Sequence, residues 1–249
     1  MRKALRIFCL QGGTQYDISV KIQGYPFSYI HTMKTICLFL VALIMVSCNG
    51  GQKIGSVNGF AVLPKQTSSE SVATFAGGCF WATQASMIQL KGVNAVISGY
   101  AGGITIDPTY EEVSGQNTGH AEAVQVYYDP AKISYEELVQ AFFFAHDPTE
   151  LNRQGPDVGP EYRSVAFYRN PQELKTISSV RSAMEGKKYY KGDFVTELEP
   201  FKVFYPAETA HQNYYERNPW DPYIRSISKP KVMHVRKELP QLIKPDYLK

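Results

Sequence analysis

From residue 71 to residue 239 the chain switches repeatedly between short apolar runs of strand type and stretches of helical period, and turn or capping residues punctuate the switches. Residues 71–76 read as a strand, broken by Gly77 and Gly78, and residues 80–90 as a helix. A second strand covers 93–100, and residues 121–127 alternate as a third that stops at Asp129-Pro130. Ser134 and Glu137 have the spacing of a capping box and open a helix through 145. Residues 164–168 form a further strand, and Asn170 with Pro171 starts a helix to about residue 185. Short strands at 195–199 and 202–205, a helix over 208–217 and a last one over 231–239 complete the pattern. This order predicts an α+β fold: a two-layer sandwich of helices packed on a mixed β-sheet, with a ferredoxin-like core of the split βαβ type. Two spans, 101–119 and 147–162, are too long for simple connectors and are candidates to carry function.

Composition adds exclusions. A net charge of +3 spread over 249 residues gives no basic footprint for nucleic acid. The four cysteines are Cys9, Cys37, Cys48 and Cys79. Three of them precede or lie in an apolar segment near the N-terminus, which argues against a disulfide framework and against zinc, whose sites need several thiols or imidazoles at short spacing. His120, His146 and His211 are too far apart for a zinc pattern and are read as structural, with His211-Gln212 bracing a site. No metal is expected.

The N-terminal quarter reads as an export and anchoring device. Met33 looks like a fresh start, with Lys34 as a short positive region and 36–46 as an unbroken apolar run. That run is shorter than the ~20 residues that cross a bilayer and fits the core of a signal peptide. It ends in Met45-Val46-Ser47-Cys48, which resembles a bacterial lipobox with Cys48 as the lipidated mature N-terminus. Residues 1–32 are then an extension from an upstream start, 33–48 a lipoprotein signal peptide, 49–69 a flexible tether rich in Gly, Ser, Lys and Gln, and 70–249 the folded domain. The expected location is exported, membrane-anchored through lipid on the periplasmic or cell-surface side, with the domain a monomer.

Cys79 is the residue with the most chemistry to offer. It follows two glycines at a strand-to-helix junction. Glycines permit a sharp turn there and leave room for a ligand. The positive end of a helix favours thiolate over thiol, so Cys79 is expected to ionise. Its ordinary alternative is an inert buried thiol.

The run Gly78-Cys79-Phe80-Trp81 resembles the signature of A-type methionine sulfoxide reductases. The resemblance continues in order through Gly99-Tyr100-Ala101-Gly102-Gly103, Asp107-Pro108-Thr109-Tyr110, Thr118-Gly119-His120-Ala121-Glu122-Ala123-Val124, Asn152-Arg153-Gln154-Gly155-Pro156-Asp157-Val158-Gly159, Tyr162-Arg163-Ser164 and His211-Gln212-Asn213-Tyr214. It implies that Cys79 is the nucleophile that attacks the sulfoxide sulfur and that Glu122 is the acid that protonates the departing oxygen, which requires a carboxyl made weaker by burial. Tyr110 and Tyr162 are implied as hydrogen-bond donors to that oxygen. Phe80 and Trp81 are implied as the apolar wall for the substrate's S-methyl group, and Asp157 as a residue that helps bind and orient the site. By themselves Glu122 and Asp157 read as solvated carboxylates, the tyrosines as half-buried, and Phe80 and Trp81 as core.

The resemblance further implies reduction of methionine S-sulfoxide, free or in oxidised proteins and peptides, with no bound cofactor and with a thioredoxin-like protein or small dithiol as external thiol reductant. Two departures matter. Ala82-Thr83-Gln84 replaces the family's usual Gly and Glu after the tryptophan, and Ile224 stands where a family cysteine often follows Tyr223. Without a resolving thiol in the domain, the sulfenic acid formed on Cys79 must be reduced from outside. Two other readings compete: a thiol peroxidase or hydrolase pairing Cys79 with His120 or His211, and a lipoprotein that binds methionine-containing peptides without turnover.

Overall fold

The computed structural model describes residues 4–11, 14–21 and 54–248. The proposed signal peptide at 33–48, Cys48 included, lies outside them. The chain divides into two units, Met1–Gly51 and Gln52–Lys249. In the first, β1 (Ala4–Gln11) and β2 (Thr14–Lys21) pair as an antiparallel hairpin, which the sequence reading did not anticipate.

The second unit is organised by one six-stranded sheet. Its strands are β5 (Ser71–Gly77), β6 (Val93–Ala101), β7 (Ala121–Tyr128), β10 (Ser164–Tyr168), β11 (Glu197–Pro200) and β12 (Phe204–Pro206), in the spatial order β11-β10-β5-β7-β6-β12. β10 and β11 are parallel and the other neighbours antiparallel, so the sheet is mixed. The four inner strands, with helix α1 (Phe80–Ile88) between β5 and β6 and helix α3 (Tyr135–Phe144) between β7 and β10, interleave as two split βαβ units. The ferredoxin-like core expected from the sequence is present.

Period-2 alternation divides the sheet into two unequal faces. Ala73, Phe75, Val96, Tyr100, Val124, Val126 and Tyr128 join a large core with the helices. Ala76, Ala95, Ile97, Ala121, Ala123 and Tyr127 pack into a smaller cluster on the other face. Every residue of β7 is buried, as a central strand covered on both sides must be. Glu122 shares the parity of Val124 and Val126, so the strand itself aims that carboxyl toward α1.

Helix ends follow the capping rules. Ser134 and Glu137 form the expected reciprocal box at α3, and Asn170 caps α4 (Pro171–Gly186) by accepting from the Glu173 backbone N–H. Each such cap contributes ~1 kcal/mol. The same device appears where the sequence suggested only loop: Thr109 and Glu112 cap the one-turn helix α2 (Tyr110–Ser114). The loop at 147–162 likewise contains a small hairpin, β8 (Arg153–Gln154) with β9 (Asp157–Val158), and a 3-10 turn over Pro160–Tyr162. Short pieces of two to five residues leave too little periodicity to read.

Two expectations need correction. The helix expected over 208–217 is split into a 3-10 turn at Thr209–His211 and helix α5 (Tyr214–Arg217), because Asn213 sits at φ 51°, in the left-handed region. The tether expected over 49–69 is in part structured. β3 (Ser56–Val57) and β4 (Phe60–Ala61) form a hairpin, and it is tied to the domain by Ala61 N–H to Ala207 O (3.0 Å) and Thr209 N–H to Gly59 O (2.8 Å). Buried Ala61 and half-buried Phe60 explain why this stretch packs despite its polar composition. Among the described residues no helix is long and apolar enough to cross a membrane.

Candidate active site

β5 ends at Gly77, and the next residue, Gly78, turns the chain at φ +75°. A side chain there would meet Gln154 Cγ at 2.4 Å, so the position demands glycine on two counts. The turn delivers Cys79 as the N-cap of α1, with its backbone at φ −51°, ψ 121°. Phe80 N–H, one of the orphan amides at the helix start, donates to Glu122 Oε2 at 2.9 Å. The nucleophile candidate and the acid candidate are thus joined through one backbone amide.

Glu122 is 3% exposed. Burial, aided by the negative charges of Asp157 and Glu161, pushes its carboxyl up to about 8, against the opposing pull of the Phe80 amide and of Lys231. It is a neutral proton donor at pH 7, the state that the acid role needs.

Cys79 departs from expectation. It is only 6% exposed. Burial and the charge of Glu122 push the thiol up, outweighing the favourable contacts from the Tyr223 hydroxyl and the Trp81 backbone amide. The helix end favours the anion by less than the cost of desolvating it. The resting Cys79 is a thiol rather than a thiolate.

The two tyrosines converge on the same place from different elements. Tyr110 opens α2, and Tyr162 closes the 3-10 turn before β10. Burial raises both phenols, and each also feels Glu122, Cys79 and Asp157. Both therefore remain donors, facing the pair that would handle the oxygen. The Tyr110 backbone N–H donates to Glu208 Oε1 (2.8 Å), whose second oxygen accepts from Tyr100 OH (3.0 Å). The two long loops are tied together by Gln116 Nε2, which donates to Glu161 Oε1 at 3.2 Å.

Of the proposed apolar wall, Phe80 is fully buried among the rings of Tyr100, Tyr110, Trp81 and His211, and so forms the floor of the site. Trp81 is half-buried. It stacks on Tyr214 with ring centroids 3.9 Å apart and takes the edge of Tyr223 at 5.8 Å. Asp157 accepts from Tyr223 OH at 2.5 Å, so its first structural job is to hold that tyrosine.

Sequence reasoning missed three contributors. Tyr223 bridges Asp157 and the Cys79 sulfur. Lys231 is electrostatically coupled to Cys79, Asp157, Glu150 and Glu122. Tyr214 supplies the face on which Trp81 stacks. His211 and Gln212 do brace the site: His211 stacks on Tyr110 with centroids 4.2 Å apart, and Gln212 bonds the Ser98 amide and carbonyl at 3.0 and 2.8 Å. His120 is held between Gly103 N–H (3.0 Å) and Thr105 O (2.8 Å), and His146 between Phe142 O and Ser164 Oγ, with burial lowering His146 to about 4. Neither is placed as a base for Cys79. A pocket of about 440 Å³ between α3 and α4 contains none of these residues.

Residues 71–242 match the family model described as peptide methionine sulfoxide reductase. The chain belongs to the peptide methionine sulfoxide reductase family. A relative in Natronomonas pharaonis, named peptide methionine sulfoxide reductase MsrA, is 49% identical over 166 residues, covering 67% of this chain and 93% of that protein. A relative of the same name in Thermus thermophilus is 45% identical over 176 residues, 71% and 99% of the two chains. Among solved structures, Mxr1 of Saccharomyces cerevisiae in reduced form superposes with a TM-score of 0.59 at 34% identity, covering 63% of this chain and 91% of that one. Methionine sulfoxide reductase A of Corynebacterium diphtheriae gives 0.56 at 30% identity, over 63% and 80%. The protein is an oxidoreductase that reduces methionine sulfoxide, a repair activity, and its α+β fold is the one these neighbours share.

Proposed function

We propose that Cys79 reduces methionine S-sulfoxide through a sulfenic acid, with Glu122 as the proton donor. The neutral, buried Glu122 bonded to the amide beside Cys79 carries this reading. The Cys79 sulfur, as thiolate, attacks the electrophilic sulfoxide sulfur. Glu122 gives its proton to the sulfoxide oxygen, and Tyr110 and Tyr162 donate hydrogen bonds to the same atom. The S–O bond breaks, and the hydroxyl passes to the cysteine, leaving Cys79 as S–OH and the substrate as methionine. Phe80 and Trp81 supply the apolar contact for the S-methyl group, where sulfur–aromatic contacts contribute ~1 kcal/mol.

The domain from residue 54 onward has no cysteine besides Cys79, and the position after Tyr223 is the buried Ile224. An external thiol, thioredoxin-like or a small dithiol, therefore attacks the sulfenic acid, releases water and leaves a mixed disulfide. A second thiol resolves it and regenerates Cys79. No bound cofactor is needed. Exposed Ile104, Ile106, Leu151, Val158 and Trp220 lie on the loops that supply the site and suit an apolar stretch of oxidised peptide. Lipidation of Cys48 and display of a monomeric domain on the outer side of a membrane rest on the sequence reading of the N-terminus.

The deciding assay uses the purified chain with a sulfoxide of defined configuration and a dithiol. Wild type should consume the S epimer, and Cys79→Ser should abolish turnover. Substantial turnover by Cys79→Ser defeats this reading. A stable disulfide between Cys79 and another cysteine of the same chain, formed on one turnover without reductant, defeats the one-cysteine cycle.

A further inference from the structure

The mechanism leaves one problem open. It needs an anionic sulfur at a place where burial and the neighbouring Glu122 both favour the thiol. The answer lies in the C-terminal segment that follows Tyr223.

After Tyr223 the chain makes a π-helical turn over Ile224–Ser228 and continues as helix α6 (Lys229–Glu238). α6 packs against α1, the helix that carries Cys79 at its start. Val232 and Val235 are the buried residues of α6. Lys231, one position before Val232, places its Nζ out of contact with water, and that nitrogen makes no hydrogen bond. An ammonium in this state is expensive to bury unless an anion compensates for the lost water. The acidic groups whose ionised forms would compensate it are Cys79, Asp157, Glu150 and Glu122, and the buried His146 also feels its charge. Lysines at other tight positions are different: Lys244, also largely buried, gives hydrogen bonds to Ile88 O and Val93 O at 2.7 and 2.8 Å. Lys231 alone of these two lacks an acceptor.

We propose that Lys231 is the counter-ion of the Cys79 thiolate, a positioning residue that lets the buried sulfur ionise for attack. In the resting thiol form Lys231 has no hydrogen-bond acceptor. When the S–H proton passes to solvent, the sulfur becomes the missing anion and the two charges are buried together. The effect needs no contact between Lys231 and substrate. Tyr223 acts on the same sulfur from the start of the same segment, while its hydroxyl donates to Asp157. Desolvation favours neutral Cys79 and neutral Lys231 separately, so the charged pair forms only as a pair, and losing either partner should raise or lower the other's titration.

The inference rests on Cys79 being the nucleophile. That is tested separately by Cys79→Ser turnover, so the two can fail independently. The experiment is the pH dependence of iodoacetamide alkylation, read on the Cys79-containing peptide by mass spectrometry so that Cys9, Cys37 and Cys48 do not interfere. Lys231→Met should move the alkylation midpoint up by one pH unit or more, which is tenfold less thiolate at any pH below both midpoints. Lys231→Arg, which keeps the charge, should hold the midpoint within about half a unit of wild type. A midpoint unchanged in Lys231→Met, or Lys231→Arg behaving like Lys231→Met, overturns the proposal. Should Lys231→Met fail to fold, the reciprocal measurement applies: in chain labelled with ¹⁵N-lysine, the Lys231 Nζ resonance should titrate at lower pH in Cys79→Ser than in wild type. An unchanged Lys231 titration there overturns it equally.

Discussion

Two stretches of chain close on Cys79 and Glu122, and they do so by different means. The β5–α1 junction, from Gly77 to Trp81, positions its groups through backbone: a left-handed glycine, an N-cap cysteine and a helix amide given to Glu122. The C-terminal segment from His211 to Lys231 has little regular structure near the site. It works through side chains laid over the first stretch: His211 on Tyr110, Tyr214 on Trp81, Tyr223 held by Asp157, and a buried Lys231 whose Nζ makes no hydrogen bond. Under the proposed mechanism the junction places the chemistry, and the C-terminal segment adjusts the charge and stacking of what the junction presents. Damage to the first should therefore abolish function or folding, while damage to the second should grade it.

The largest effect is expected at the acid. Glu122→Gln keeps the shape and removes the proton, so turnover should fall by ~10²–10⁴-fold, the usual worth of general acid catalysis. The folded-state titration of Glu122 lies at about 8, above the ~4.3 of an unfolded chain. Folding takes up a proton between those two values. The stabilisation from the neutral carboxyl is complete below the lower one and is lost as pH rises through the upper. Melting temperature should fall in wild type as pH is raised from about 6 to 9, and that fall should be smaller in Glu122→Gln; equal slopes would remove the buried acid from the argument. Turnover by wild type should likewise decline above about pH 8, as the carboxyl ionises.

Gly78→Ala tests the junction as a piece of backbone. Positive φ and the close approach of Gln154 together should cost ~1–3 kcal/mol in chemical denaturation. A neutral result would mean that the turn is not fixed as described.

Smaller effects should mark the C-terminal segment. Tyr223→Phe removes the hydroxyl held by Asp157 and should reduce kcat by about tenfold, the order of one lost hydrogen bond to a charged group, with a melting temperature near wild type. Loss of stability without loss of turnover would make the tyrosine a packing residue only. His211→Leu keeps bulk against Tyr110 but removes the imidazole, and should lower kcat/KM by about threefold, given that stacked aromatic pairs contribute ~0.5–1.5 kcal/mol beyond burial. A drop as large as that of Glu122→Gln would erase the contrast between the two stretches.

What the sequence determined by itself was the framework and the first half of the site. The strand and helix periods, the Ser134 and Asn170 caps and the Gly77-Gly78 break are local signals, readable because each acts within a few residues. The runs around Cys79, Glu122, Tyr110, Tyr162 and Asp157 were legible as motifs, although nothing in them revealed how near these residues lie to one another. Only the tertiary structure decided the charge states. Glu122 is neutral at pH 7 because its strand parity buries it under α1, and Cys79 is held as a thiol by its burial. Tyr223 and Lys231 could not be read at all, since no periodicity links them to Cys79, roughly 150 residues earlier. Desolvation and long-range charge depend on which atoms surround a group, and those atoms are gathered from every part of the chain.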